Sequence, residues 1–188
     1  MGAATQVDSK QPFIRTLSAV LSEAECEAIR QRIESLGPAP APITTPFGFV
    51  MRPDIRNNDR VMFDDVALAA ELFERVSSCI PQVLGGWRAV GTNERFRCYR
   101  YQPGQYFAPH KDGAFVRSAD ERSLLTLLVY LNGECEGGET RFPTLGQEVV
   151  PARGMGLLFE HRVLHEGAEV RGGVKYVLRT DVMYRFEG

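Results

Sequence analysis

A change of period along the chain is its strongest constraint. Before residue 81 the apolar residues recur at helical spacing, whereas beyond Gly85-Gly86 they alternate. Ser22 and Glu25 form a capping-box pattern ahead of Cys26, Ile29, Ile33 and Leu36, and Gly37-Pro38 ends that helix. A second helix is expected from Asp64 or Asp65 through Ala69, Leu72, Phe73, Val76 and Ile80, stopping at Pro81. The segment between them, Pro38 to about Arg60, carries five prolines and then Arg56-Asn57-Asn58-Asp59-Arg60. It holds neither period, and is expected to be irregular, a strand plus a mobile loop. From Arg95 to Tyr101 one face carries Phe96 and Cys98 and the other Arg97, Tyr99 and Tyr101, as in a strand between two environments. Leu124 to Leu131 is almost wholly apolar and suits a central strand covered on both faces. Short strands are expected around 140–142, 147–150, 156–159 and 174–184. Two helices followed by many strands indicate an α+β, mainly β chain whose helices cover one face of a sandwich or barrel.

At 188 residues the chain is expected to be one domain, 1–188, with residues 1 to about 12 frayed. Its 44% hydrophobic and 24% charged content gives no case for disorder, collagen or a membrane bundle. A net charge of -2 supplies no broad positive field, so nucleic acid is not an expected partner. No segment approaches transmembrane length, and no membrane partner is expected. The first residues lack the apolar stretch of a signal peptide, and Gln6 stands where myristoylation wants Ser or Thr. Cys26, Cys79, Cys98 and Cys135 form no C-x-x-C pair. A cytoplasmic location is expected, and oligomeric state stays open.

Imidazole chemistry must draw on three residues, His110, His161 and His165. In His110-Lys111-Asp112 the imidazole and carboxylate are two apart, which on a strand directs them to one face. Such a triplet is common by chance. With a second histidine far downstream it can form the two-histidine, one-carboxylate facial triad of non-haem Fe(II) oxygenases, which leaves coordination positions open. His161 and His165 compete for that role. A zinc-protease reading of His161-x-x-x-His165 fails because Arg162 stands where glutamate is required. Lys175, ten positions after His165, opens an expected strand and would suit the distal carboxylate of a dicarboxylate ligand.

The ordered set Tyr101-Gln-Pro-Gly-Gln-Tyr-Phe-Ala-Pro-His110-Lys-Asp112, Leu125-Thr-Leu-Leu-Val-Tyr-Leu-Asn132, Glu136-Gly-Gly-Glu-Thr140-Arg-Phe-Pro143, Gly156-Leu-Leu-Phe159, His165-Glu-Gly167 and Lys175 resembles the Fe(II)- and 2-oxoglutarate-dependent dioxygenases, in their prolyl 4-hydroxylase-like branch. The resemblance implies a double-stranded β-helix, or jelly roll, over about 95–186, behind N-terminal supporting helices. It implies that His110, Asp112 and His165 bind Fe(II), leaving His161 a bystander. Lys175 would pair with the distal carboxylate of 2-oxoglutarate. Arg179 shares its strand face and is the alternative, although it could instead pair with Asp181 or Glu166. Tyr101 and Thr140 would line the cosubstrate pocket, and Tyr130 would donate its hydroxyl to the same carboxylate. Dioxygen is the other implied cosubstrate, with ascorbate in support. Related halogenases carry a small residue at the carboxylate position, so Asp112 favours hydroxylation.

Substrate selection is expected from Arg52–Arg60 and Gly113–Arg122. There Arg60, Asn58, Arg117 and Arg56 could bind a carboxylate or peptide backbone, or could simply form local salt bridges. The implied reaction hydroxylates a prolyl or other residue of a peptide or protein, releasing succinate and CO2. The alternatives are a hydroxylase of a free amino acid or small metabolite, or a non-enzymatic jelly-roll binding module. Retention of the whole triad with Lys175 speaks against the last.

Overall fold

The computed structural model describes residues 11–188. Most of the segment expected to fray, 1 to about 12, lies outside the described residues. Helix α1, Glu23–Ser35, begins at the expected capping box. The Ser22 side chain accepts from the Glu25 amide, and the Glu25 carboxylate accepts the Ser22 amide at 2.7 Å. Helix α2, Val66–Val76, is capped by Asp65, whose carboxylate accepts the Leu68 amide at 3.0 Å. It is shorter than expected, because the chain tightens into a 3-10 turn, Ser77–Cys79, before Pro81.

The strand Lys175–Phe186 is the hub of a nine-stranded antiparallel sheet. On one side it pairs with Glu121–Tyr130, which pairs in turn with Gly156–Glu160 and that with Ile14–Leu17. On the other side its first half pairs with Arg95–Tyr101 and its second half with Trp87–Thr92. Alternation then sorts the side chains. Phe96, Cys98, Leu125, Leu127 and Leu178 face a core shared with Cys26, Ile29 and Ile33 of α1 and Leu72 and Val76 of α2. Tyr99, Tyr101, Leu128, Tyr130 and Val177 face the opposite way, toward Phe142 and Phe159. That second face meets a four-stranded sheet ordered Gln147–Val149, Thr140–Phe142, His165–Gly167, Phe107–His110. Two facing antiparallel sheets with helices behind the larger one are the double-stranded β-helix with N-terminal supporting helices.

The segment expected to be irregular is more ordered than its sequence suggests. Ile43–Thr45 and Gly48–Val50 form a hairpin, and Asp59–Asp64 joins the large sheet beside Arg95–Tyr101. The ladder that orders Asp59–Asp64 comes from a strand far along the chain, so no local period reports it. No helix of the described residues is long and apolar enough to cross a membrane.

Leu127 is fully buried between Leu158 and Thr180 of the flanking strands. Leu127→Ala is expected to remove about 2–5 kcal/mol of stability, read as a lower urea midpoint.

Candidate metal centre and its cavity

His110 and His165 stand directly opposite each other in adjacent antiparallel strands. That register puts both imidazoles on one face, with ring centroids 4.3 Å apart. His110 Nδ1 lies 2.8 Å from the Ala108 carbonyl and His165 Nδ1 3.0 Å from the Val163 carbonyl. A carbonyl only accepts, so each Nδ1 carries the proton and each Nε2 is left with a free lone pair. Burial keeps the rings neutral, pushing His110 down to about 4 with help from the neighbouring His165, and His165 below its ordinary value.

Asp112 reaches the same point by a different route from the one its spacing suggested. The strand Phe107–His110 ends at the histidine, so strand alternation does not aim the carboxylate. Instead the Asp112 amide donates to the His161 carbonyl at 3.0 Å, which turns the side chain back toward the histidines. His110 Nε2 is 3.8 Å from Oδ1 and His165 Nε2 is 3.7 Å from Oδ2. The three residues each offer a ligand atom, all within 4.8 Å of one another, and this donor set fits an Fe(II) ion.

The Asp112 side chain is 4% exposed. Burial by itself would raise its pKa, but Arg179, the two imidazoles and a Thr126 hydrogen bond hold it well below the usual carboxylate range. Arg179 is therefore committed elsewhere than the distal carboxylate of a cosubstrate. Its Nη1 lies 3.1 Å from Asp112 Oδ1, and its Nη2 donates to Asp181 Oδ1 at 3.2 Å. The expected pairing with Asp181 is present, whereas Glu166 lies 3.9 Å from Arg141 instead.

His161 stands outside the donor group, yet it is linked to Asp112 through Thr126. The Thr126 hydroxyl donates to Asp112 Oδ2 at 2.6 Å, so its oxygen must accept from His161 Nδ1, 2.9 Å away. His161 Nε2 then accepts the Ser123 hydroxyl at 2.8 Å, and the Ser123 oxygen accepts the Phe115 amide at 2.8 Å. Every proton in this chain has one direction, and all of it ends on the carboxylate. The signal available in sequence was Thr126 itself, a hydroxyl inside an apolar run.

The triad lies in a cavity that extends to Lys175, which is 2% exposed. Lys175 Nζ donates to the Gly138 carbonyl at 2.5 Å and lies 5.1 Å from the Tyr101 ring centroid and 5.6 Å from that of Tyr130. Gly138 has φ +71° and packs so closely that a Cβ there would meet Lys175 Cδ at 3.0 Å, which is the local reason for Gly137-Gly138. Among the described residues Lys175 has no carboxylate partner, and burial pushes it down to about 8. A buried cation without a counter-ion fits a dicarboxylate cosubstrate. Tyr101, opposite Lys175 in register, and Thr140 line the cavity. Tyr130 does not. Its hydroxyl, expected to reach the cosubstrate carboxylate, donates to Thr140 Oγ1 at 2.7 Å.

The substrate candidates divide. Asn58 is fully buried, accepting from Arg56 Nε and donating to the Asp59 carbonyl, and cannot meet substrate. Arg117 pairs with Glu94 and Glu121 and lines a separate groove beside α2. Arg60 lies half-buried opposite Tyr99, a cavity residue.

Fold and site together define a jelly roll that carries a two-histidine, one-carboxylate donor set. Residues 96–180 match the model of the 2OG-Fe(II) oxygenase superfamily. Fe(II) and 2-oxoglutarate are the cofactors to which this match and the donor set of His110, Asp112 and His165 point. Prolyl 4-hydroxylase 1 of Arabidopsis thaliana is 24% identical over 196 residues, spanning 91% of this chain and 69% of the plant protein. The same fold occurs in a viral collagen prolyl hydroxylase from Paramecium Bursaria Chlorella virus-1, solved as a 2OG complex. The match has a TM-score of 0.64 and 22% identity, over 92% of this chain and 96% of that one. It also occurs in a Trichoplax adhaerens prolyl hydroxylase solved with a hypoxia inducible factor oxygen degradation domain peptide fragment. There the TM-score is 0.65 and the identity 18%, over 90% of this chain and 82% of that one.

Thr126→Val breaks the chain of hydrogen bonds at the carboxylate while keeping side-chain volume. It is expected to weaken Fe(II) or Mn(II) binding roughly 10–100-fold in a metal titration, with His161→Leu weakening it in the same direction.

Proposed function

We propose that this chain hydroxylates a prolyl or other residue within a peptide or protein. The observation that carries the peptide reading is an exposed apolar hairpin that leads into the site. Phe47 is 99% exposed and Phe49 70%, and Val50 and Met51 are exposed beside them. A few residues later the chain lies against the strand that carries His110. The Ala108 amide donates to the Ile55 carbonyl at 2.8 Å, and Arg56 bridges Phe107. Exposed aromatic and aliphatic side chains at that position suit an extended chain laid across the opening better than a metabolite enclosed within it.

In this reading His110, Asp112 and His165 would hold the iron, and Lys175 would receive the distal carboxylate of 2-oxoglutarate, with Tyr101 and Thr140 beside it. Bound iron, with its cosubstrates, supplies oxidative decarboxylation to succinate and CO2 coupled to insertion of one oxygen into a substrate C–H bond. The chain does the positioning. Arg179 and Thr126 orient the Asp112 carboxylate, and the Ala108 and Val163 carbonyls orient the imidazoles. Leu128, Val177 and Phe107 give the cavity apolar walls that limit water near the reacting atoms. We take 1–188 as one catalytic unit. Four unpaired cysteines support a cytoplasmic setting.

Incubation with Fe(II), 2-oxoglutarate, a peptide library and a metabolite extract is expected to give succinate and a one-oxygen mass gain on peptides, both lost in Asp112→Ala. A gain confined to free metabolites would overturn the peptide reading, and no turnover above Asp112→Ala would overturn the enzyme. Lys175→Ala is expected to raise the 2-oxoglutarate KM by about tenfold or more. Arg179→Ala should act chiefly on metal affinity; the reverse ranking would exchange their roles.

A further inference from the structure

Four guanidinium groups, of Arg56, Arg60, Arg97 and Arg179, surround Tyr99 on the cavity side of the large sheet. Register places Arg60 opposite Tyr99 and Arg97 opposite Arg179, and opposite residues of an antiparallel pair share a face. Two buried carboxylates answer them. Arg179 divides its nitrogens between Asp112 and Asp181, and Arg97 Nη1 bonds Asp181 at 3.1 Å. Asp59, next to Arg60 in sequence, is taken by Arg100 at 2.8 Å, as is Glu34 at 2.9 Å. Two positive charges are left over.

Arg56 is one of them. It is 5% exposed, with its guanidinium carbon 4.5 Å from the Tyr99 ring centroid and 4.4 Å from that of Phe107. Nε donates to Asn58 Oδ1 at 2.8 Å, but the buried Nη2 has no hydrogen-bond partner. Arg60 is the other. It is half-buried and makes no ion pair or side-chain hydrogen bond among the described residues. Burial, then the neighbouring charge of Arg56, holds its pKa below the ordinary arginine value. An unpaired buried donor is costly, and a partly desolvated pair of like charges is costly again. Both costs are relieved when an anion arrives.

We propose that Arg60, reinforced by the fixed charge of Arg56, is a carboxylate-binding subsite that selects peptides carrying Asp or Glu near the residue to be hydroxylated. This deepens the peptide-hydroxylase reading above and rests on it. Arg60 supplies the reachable fork, since a guanidinium matches a carboxylate with two parallel hydrogen bonds. Arg56 is too buried to meet substrate first, and acts through its field. One ring links the Arg56 side of the subsite to a metal-ligand candidate. Phe107, one face of the Arg56 sandwich, stacks on His110 with centroids 3.5 Å apart. An extended peptide advances about 3.3–3.6 Å per residue, so the positions within three residues of the target are the ones to test.

The test compares peptides that place Asp or Glu, or their amides Asn or Gln, at each of three positions on either side of one target proline. At one or more positions the acidic peptide is expected to exceed its amide counterpart about tenfold in kcat/KM, mainly through KM. Arg60→Gln should abolish that preference, Arg60→Lys should keep part of it, and Arg60→Glu should favour a Lys-bearing peptide instead. The distant surface change Arg88→Gln should leave the ratio as in the wild type, and thermal melting checks that each variant folds. Equal hydroxylation of acidic and amide peptides at every position, or a preference that survives Arg60→Gln, would overturn the subsite while leaving the peptide hydroxylase intact. Failure to hydroxylate any peptide would remove the reading on which the subsite rests, and the subsite with it.

Discussion

A carboxylate almost entirely withdrawn from water, at Asp112, is the group on which the rest of the site depends. An isolated buried charge would take up a proton, and a neutral acid is a poor metal ligand. This protein keeps the negative charge with four fixed partners: a guanidinium from the hub strand, a threonine hydroxyl from the next strand, and the two imidazoles of the smaller sheet. Each partner is fixed by a sheet register, so the charge state of one side chain is tied to the alignment of both sheets. The Thr126–His161–Ser123 chain makes this tie directional. Reversing any hydrogen in it would leave a buried donor facing a donor.

The hub strand separates two tasks that one sequence face could have confused. Lys175, Val177 and Arg179 all point into the cavity. Residues four apart on a strand are about 13 Å apart, so the lysine and the arginine serve different ends of it. At one end Arg179 is occupied by Asp112 and Asp181. At the other, Lys175 has only the Gly138 carbonyl and two aromatic rings, and remains a cation awaiting an anion. The tight Gly137-Gly138 turn belongs to the same design, because it brings that carbonyl against the lysine.

Much of this was legible in the sequence, for identifiable reasons. Arg95–Tyr101 and Thr140–Phe142 have the expected bounds because alternation and flanking turns are local signals. The convergence of His110, Asp112 and His165 was legible because they fall in motifs whose order along the chain is itself informative. What was not legible depends on pairing between distant segments. Asp59–Asp64 is a strand only because Arg95–Tyr101 lies beside it, and that pairing buries Asn58 and turns Arg60 toward Tyr99. Arg117 looked like a substrate residue from charge alone, but Glu94 and Glu121 neutralise it. His161 looked spare because hydrogen-bond direction cannot be read from spacing. A polar side chain within an apolar stretch, as at Thr126, announces that a partner exists without saying which.

Anomalous diffraction from crystals grown with Mn(II) and 2-oxoglutarate is the most direct test of the central claim, that a buried, oriented Asp112 completes a metal site with the two register-paired histidines. A single metal peak is expected, bonded to Nε2 of His110, Nε2 of His165 and the Asp112 carboxylate, with His161 still hydrogen-bonded between Ser123 and Thr126. A metal bound through His161, or one that leaves Asp112 outside its coordination sphere, would contradict that claim.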